Sequence, residues 1–416
     1  MRMFIELRAE DGFLSRGYLA LPPAGRGPGI IVQQEIFGLN RQIRGICDLL
    51  AEEGYVVLAP DLFARLERDV ELGYTPPEFE KALALYARFD DEHGLADIGA
   101  AIAALRAMPE VVGGIGTIGF CLGGRLVVKT AARHEVACAV SYYGVGIEDC
   151  LDLVDEIHCP MVVHFAELDS LNPPATVERI RRGFAGSKNV KINVYAGVDH
   201  AFALPERPAY DKPAAMMAYS RSLALFREVL GPKYDLAALW DKHLEYEFAS
   251  HDVEATMKTM VAQPYVSDIP TLTGGVGYDE VHNFYKNHFL FANSADTKTI
   301  PISRTIGSDR IVDEMLFCFT HDREIDWMLP GVAPTGKHVE VPLVAIVCFR
   351  GDKLYNEHIY WDQASVLVQL GLIDRAGLPV VGIESAQKLL NEHLPANHLV
   401  RNCTFQRVNA EPLPSR

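Results

Sequence analysis

The 416-residue chain contains no stretch of about eighteen consecutive apolar residues, the length that a membrane-crossing helix needs. It also contains no run of five like charges, so it has neither a basic arm nor an acidic tail. Positive charge is scarce: 39 Lys and Arg stand against 55 Asp and Glu, a formal net charge of -16. Such a surface repels phosphate backbones and argues against nucleic acid as a partner. The eight cysteines, at 47, 121, 138, 150, 159, 318, 348 and 403, form no Cys-x-x-Cys pair. A chain of this length needs no disulfide staples, so reduced thiols, no metal site and no cofactor are expected. The first residues, Met-Arg-Met-Phe-Ile-Glu-Leu-Arg, lack the apolar centre of a secretory signal. The expected setting is the cytoplasm.

The composition, 49% hydrophobic and 23% charged, is that of a globular protein with room for two or three domains. Through the first half, apolar runs alternate with stretches of helical period. Strands are expected at 4–8, 15–21, 29–33, 55–59, 116–120, 137–142, 160–165 and 191–195. Helices are expected at 41–53, 80–89, 95–108, 123–133 and 214–230. This rhythm implies an α/β fold, a mostly parallel sheet with helices on both faces. After "LGPKYD", residues 230–235, the order changes. Helices at 236–248, 253–260 and 279–289 precede alternating strands at 310–320, 340–350 and 353–361, with a hairpin turn at Arg350-Gly351-Asp352-Lys353. That is an α+β pattern. The expected domains are 1–231 and 232–416, the second closing with a helix at 385–393 and a mobile tail around "AEPLPSR".

The segment "TIGFCLGGRL" places Cys121 between an expected strand and an expected helix. Gly119-x-Cys121-x-Gly123 has the spacing of a nucleophile elbow, where glycines remove the Cβ atoms that a sharp turn would bring into collision. A following helix favours a thiolate. The alternative is an inert buried thiol, the ordinary state of a free cysteine. Downstream, Asp169 follows one expected strand and His200 follows another. Both fall at strand C-terminal ends, where open α/β sheets carry their sites. The order Cys, Asp, His is the nucleophile–acid–histidine order of α/β-hydrolases. Glu35, in "QQEIFGLN", ends a buried strand, where a carboxylate needs a partner or a raised pKa; capping the helix near Arg41 is the other role open to it.

The stretches QEIFGLN, APDLFAR, GFCLGGR, ELD and GVDHAF, in that order, resemble the dienelactone hydrolase (carboxymethylenebutenolidase) family over roughly residues 1–230. The resemblance implies an α/β-hydrolase fold and a triad of Cys121, Asp169 and His200. It implies that Glu35 holds the cysteine at rest and accepts its proton when substrate binds. The implied oxyanion hole is the backbone N–H of Ile36 and Leu122. Phe37, Tyr143 and Phe202 are expected to contact substrate. The family carries a carboxylate-binding arginine four residues after the histidine; here that residue is Leu204. Arg207 and Arg65 are therefore the expected substitutes. The implied reaction is hydrolysis of a lactone or ester through a thioester.

From 235 to about 370 the stretches FASHDVEATMKTM, GGVGYDEVHNFYKNHF, SRTIGSDRIVDEMLFCFTHD and EHIYWDQASVLVQLGL resemble the nuclear transport factor 2-like superfamily, including polyketide-cyclase-like proteins. The resemblance implies a cone of helices wrapped by a curved sheet around a pocket. It fixes no mechanism. Alternation puts His358, Tyr360 and Asp362 on one face and Glu357, Ile359 and Trp361 on the other, and either face can point inward. Pocket candidates are His282, Arg304, Asp322, Asp326, Trp327, His358 and Tyr360, with a polar sheet face or a dimer interface as the alternative. His251, His282, His321 and His358 show no ligand spacing. The sequence thus points to a cysteine-dependent hydrolase acting as a homodimer on a small lactone or ester, without nucleic acid or membrane. The second domain is expected either to perform isomerisation or cyclisation, or to serve as a ligand-binding and dimerisation module.

Overall fold

The computed structural model describes residues 1–400; the tail segment AEPLPSR lies outside the described residues. The chain divides into two compact units, one ending at Tyr234 and one beginning at Asp235.

In the first unit eight strands form one sheet: β1 (Arg2–Arg8), β2 (Leu14–Ala20), β3 (Gly27–Gln33), β4 (Val56–Pro60), β5 (Val111–Phe120), β6 (Cys138–Tyr142), β7 (Met161–Ala166) and β8 (Val190–Tyr195). Their order is β1-β2-β4-β3-β5-β6-β7-β8. The β1–β2 and β2–β4 pairs are antiparallel and the others parallel. Every residue of β4, β6 and β7 is buried, as parallel strands covered on both faces require. Six helices surround the sheet: α1 (Arg41–Glu52), α2 (Pro76–Tyr86), α3 (Asp91–Ala107), α4 (Leu122–Arg133), α5 (Pro174–Gly183) and α6 (Lys212–Val229). Asn40 caps α1 by accepting from the Ile43 N–H at 3.1 Å. α2 begins and ends several residues before the expected 80–89, because Thr75 and Glu78 form a capping box ahead of it. Strand order reverses between β3 and β5, and that is where an open α/β sheet opens a crevice. The buried amide of Gln33 ties the end of β3 to its surroundings, donating to Thr117 at 2.8 Å and Thr130 at 3.1 Å.

The second unit contains α7 (Leu236–Leu244), α8 (Val253–Lys258), α9 (Tyr278–Phe284), α10 (Gln363–Leu370) and α11 (Glu384–Leu390). Its strands are β9 (Met260–Asp268), β10 (Thr273–Val276), β11 (Lys298–Ile306), β12 (Arg310–Thr320), β13 (His338–Arg350) and β14 (Lys353–Trp361). They form a sheet ordered β10-β9-β14-β13-β12-β11, antiparallel except for the β14–β9 pair. Three of these strands were not expected. β9 carries Pro264 inside it, β10 is a four-residue strand with two glycines, and β11 carries Pro301 and has no buried residue; each feature hides a strand. The expected helices at 236–248 and 279–289 both change pitch, ending in π turns at Glu245–Ser250 and Tyr285–Phe289. Among the described residues no helix is long and apolar enough to cross a membrane.

The turn from β5 into α4 has almost no spare volume. A Cβ on Gly123 would stand 2.2 Å from the Gln33 carbonyl oxygen, and one on Gly119 would stand 2.2 Å from that of Gly123. Backbone is in the way in both cases and cannot rotate aside. Gly123→Ala should therefore lower stability by about 1–3 kcal/mol, read as a fall in Tm.

Candidate active site

Cys121 sits at the N-terminus of α4 with φ 55 and ψ -111, a conformation that L-residues rarely adopt. Three contacts hold it there. Its N–H donates to the Tyr142 carbonyl at 3.0 Å, its carbonyl accepts from the Arg125 N–H at 3.3 Å, and the Gly123 N–H donates to the Gln34 carbonyl at 3.0 Å. The last bond sets residues 33–36 directly against the elbow. Tyr143 and Ala201 also have positive φ, 38 and 67. Each such residue stores roughly 1–3 kcal/mol of strain, and strain of this kind collects at functional sites.

Asp169 follows β7, and its carboxylate is buried. Its Oδ2 accepts from His200 Nδ1 at 2.8 Å and from Asn172 at 3.0 Å, and its Oδ1 accepts from the Leu171 N–H at 2.8 Å. Burial opposes ionisation, but these donors outweigh it and keep the carboxyl below its ordinary range. His200 follows β8. Its buried Nε2 makes no conventional hydrogen bond. Burial would push the imidazole down; Asp169 and Cys121 overcome it and lift its pKa from 6.5 to about 10. The Tyr143 ring packs edge-on against His200, with centroids 4.9 Å apart, and Phe202 packs on Tyr143 at 5.8 Å.

Glu35 follows β3 and is 2% exposed. Its Oε1 has no hydrogen-bond partner. Burial raises its pKa, against the opposing charges of Arg207 and His200. It therefore does not act as the cap of α1, a role that Asn40 fills. Arg207 lies over two rings, 4.8 Å from the centroids of both Phe37 and Tyr74, and its buried Nε has no partner. The Tyr143 hydroxyl senses Glu35, Cys121 and Arg207 together. Thus Cys121, Asp169, His200, Glu35, Phe37, Tyr143, Phe202 and Arg207 share one neighbourhood, with Ile36 and Leu122 on the two segments that meet at the elbow. Arg65 is a correction. Its guanidinium is spent on Asp97, at 2.8 and 2.9 Å, and on Asp11 at 2.6 Å, so its charge is already matched. Leu204 is buried core. Tyr74, which completes the Arg207 clamp, was missed; it lies in an irregular segment that carries no periodic signal.

In the second unit only Trp327 of the seven candidates lines the cavity. His282 pairs with Glu254 at 2.8 Å, Arg304 with Asp313 at 2.7 Å and Asp241 at 2.8 Å, Asp322 with Arg323 at 3.0 Å, and Asp326 with His288 at 3.2 Å. Tyr360 is exposed, and His358 packs edge-on against Tyr265. The strand turns its other face inward: Glu357 and Ile359 line the cavity. Among the described residues, one group of three side chains has metal-ligand spacing, His243, Glu247 and Glu357.

A mostly parallel sheet with a strained cysteine elbow, followed in order by an acid and a histidine at strand ends, defines the α/β-hydrolase class. The chain belongs to the dienelactone hydrolase family, whose match spans residues 15–230, and it is a hydrolase. It is 34% identical over 229 residues to carboxymethylenebutenolidase 1 of Cupriavidus pinatubonensis, covering 55% of this chain and 97% of that one. It is also 34% identical over 220 residues to the carboxymethylenebutenolidase of Pseudomonas putida, covering 53% and 93%. A Klebsiella pneumoniae protein solved as a candidate dienelactone hydrolase is 29% identical, covers 55% of this chain and 99% of its own, and superposes with a TM-score of 0.49.

The raised pKa of His200 has a consequence for stability. A group whose pKa rises on folding stabilises fully below its unfolded value and loses that contribution as pH climbs through the folded one. The His200 contribution should be complete below 6.5 and should vanish as pH passes about 10. Asp169→Asn should flatten this decline and move the His200 titration downward, as followed by imidazole NMR and by urea unfolding across that range.

Proposed function

We propose that the first unit hydrolyses a small lactone or carboxylic ester by acyl transfer to Cys121. The observation that carries the proposal is the strained Cys121 elbow beside the His200–Asp169 pair, whose carboxylate–imidazole bond is 2.8 Å. The thiolate attacks the carbonyl carbon and the oxyanion rests on the Ile36 and Leu122 N–H groups; loss of one such donor costs about 2.7–4 kcal/mol. The carbon–oxygen bond breaks, His200 protonates the departing oxygen, and a thioester remains. Neutral His200 then takes a proton from water, whose oxygen attacks the thioester and releases the thiolate. Asp169 fixes the His200 ring and its charge.

Glu35 and Arg207 supply the trigger. The Arg207 charge opposes protonation of Glu35. A substrate carboxylate that paired with Arg207 would cancel that charge, so Glu35 would bind a proton more strongly. The donor is the Cys121 thiol, and the product is the nucleophilic thiolate. Arg207 between Phe37 and Tyr74 thus takes the place of the arginine missing at Leu204, and the best-matched substrate is an unsaturated lactone carrying a carboxylate. Phe37, Tyr143 and Phe202 would form its apolar walls.

The second unit, helices against a six-stranded sheet with an internal cavity, fits the cone-shaped nuclear transport factor 2-like architecture. We read it as a separate pocket domain.

Cys121→Ala should abolish turnover of both cis-dienelactone and p-nitrophenyl acetate. Arg207→Gln should raise KM for cis-dienelactone by about 10- to 100-fold, the worth of a hydrogen-bonded charge, and should not slow p-nitrophenyl acetate, which has no carboxylate to pair and gains from the easier protonation of Glu35. Equal losses on both substrates would remove Arg207 from carboxylate recognition. Turnover by Cys121→Ala would remove the nucleophile.

A further inference from the structure

In the second unit three buried side chains converge on one spot. His243 stands near the end of α7, Glu247 lies in the π turn that follows, and Glu357 comes from β14. His243 Nε2 is 3.0 Å from Glu247 Oε1 and 3.2 Å from Glu357 Oε1. One ligand atom from each residue lies within 4.8 Å of the others. Bonds of about 2.0–2.1 Å to a common ion space its donors about 3.3 Å apart in a tetrahedron and about 3.0 Å apart in an octahedron. The two nitrogen–oxygen edges match these lengths.

The histidine is oriented as a ligand. The Thr259 hydroxyl donates to the Thr256 carbonyl at 2.6 Å, so it accepts from His243 Nδ1, 2.5 Å away. Nδ1 therefore carries a proton, and the lone pair of the neutral ring sits on Nε2, aimed at both carboxyl groups. A hydrogen bond from the remote ring nitrogen is what fixes the tautomer of a metal-bound imidazole. Trp240 stacks on the imidazole, with centroids 5.5 Å apart and planes 18° apart, and its own Nε1 donates to Asp313 at 2.9 Å. The Tyr285 hydroxyl lies 3.3 Å from His243 Nε2 and donates to Glu357 Oε1 at 3.2 Å. The ring and the Glu357 carboxyl are thus each held from behind or beside.

Charge points the same way. A lone pair facing two carboxylates demands a cation between them. A neutral imidazole, two carboxylates and a divalent ion sum to zero. A proton in the same place leaves the trio one negative charge in excess, and no Lys or Arg lines the adjoining cavity to offset it. Uncompensated charge is costly in such surroundings. The donor set also selects the ion. An imidazole nitrogen with two carboxylate oxygens and no sulfur suits zinc, manganese or iron(II), whereas magnesium and calcium prefer oxygen alone. Three protein ligands leave a position free. Glu247 and Glu357 line the aromatic cavity and His243 does not, so that position faces the cavity. Its free volume, about 40 Å³, exceeds what one water needs.

We propose that His243, Glu247 and Glu357 bind one divalent first-row transition-metal ion, with one coordination position open to the cavity. The site is independent of hydrolysis at Cys121. The ion takes the place between Nε2 and the two carboxylates, and protons held there leave to solvent. Thr259 and Tyr285 are positioning residues: Thr259 fixes the ring and Tyr285 fixes Glu357.

The test uses the untagged full chain carrying Cys121→Ala, so that the elbow thiol cannot take the metal. Metal content is measured on the purified protein, which is then stripped with dipicolinate and titrated with Zn²⁺, Mn²⁺ and Co²⁺. The expected result is one equivalent of zinc or manganese per chain, no competition from Mg²⁺, and a higher Tm with the ion bound. Bound cobalt should show visible d–d bands without the near-ultraviolet band of a thiolate ligand. Glu247→Gln and, separately, Glu357→Gln should weaken binding by about 10²-fold or more, and Thr259→Val by about 10- to 100-fold. Tryptophan emission and unfolding profile like those of the stripped parent show each variant folded. Where a substitution unfolds the chain, the parent's stoichiometry and cobalt spectrum decide. A stripped parent that takes up no equivalent of any of the three ions overturns the proposal. So does binding that survives both glutamine substitutions, or a cobalt spectrum carrying the thiolate band.

Discussion

The backbone strain at Cys121 is the constraint on which the first unit depends. A residue at φ 55 is held there only if its surroundings leave no easier conformation. β5 delivers the chain, α4 carries it away, and the Tyr142 and Gln34 carbonyls fix the two amides on either side. Gly119 and Gly123 let backbone approach backbone at distances a side chain would forbid. The reward is a sulfur raised above the sheet at the start of a helix, beside the crevice where strand order reverses. Glu35 comes from β3, the strand paired with β5, so the same packing that bends Cys121 also delivers its buried carboxylate.

Electrostatics then sets the roles. His200 and Glu35 are both buried, yet their proton affinities rise for different reasons. His200 gains from two acidic neighbours; Glu35 rises because burial outweighs the cations beside it. Arg207 is the cation that opposes this rise, held over the Phe37 and Tyr74 rings. The second unit repeats the same physics with other residues: Glu247 and Glu357 raise the pKa of His243 against its burial, and burial raises that of Asp268.

Much of the first unit was legible in the sequence. A parallel sheet announces itself through short apolar runs, and Gly-x-Cys-x-Gly between such a run and a helix has few other uses. Asp169 and His200 were readable because they follow strands. Arg65 and Arg207 were not distinguishable, because choosing between them requires knowing that Asp11 and Asp97 already hold one of them. The second unit was harder. Alternation in β14 identified two faces and left the inward one open, and packing chose the face of Glu357. His243 and Glu247, one helical turn apart, were missed, and their neighbours Asp268 and Tyr285 come from a strand broken by proline and from a change in helix pitch, neither of which has a strong local signature.

The central claim is that Cys121 becomes acylated. Mixing the protein with p-nitrophenyl acetate, quenching in acid within the first turnover and mapping the digested peptides by mass spectrometry tests it directly. The account predicts one acetyl group on the peptide containing Cys121, labile to hydroxylamine and absent when Asp169→Asn has slowed its formation. An acetyl group on another residue, or full turnover with Cys121 never modified, would contradict it.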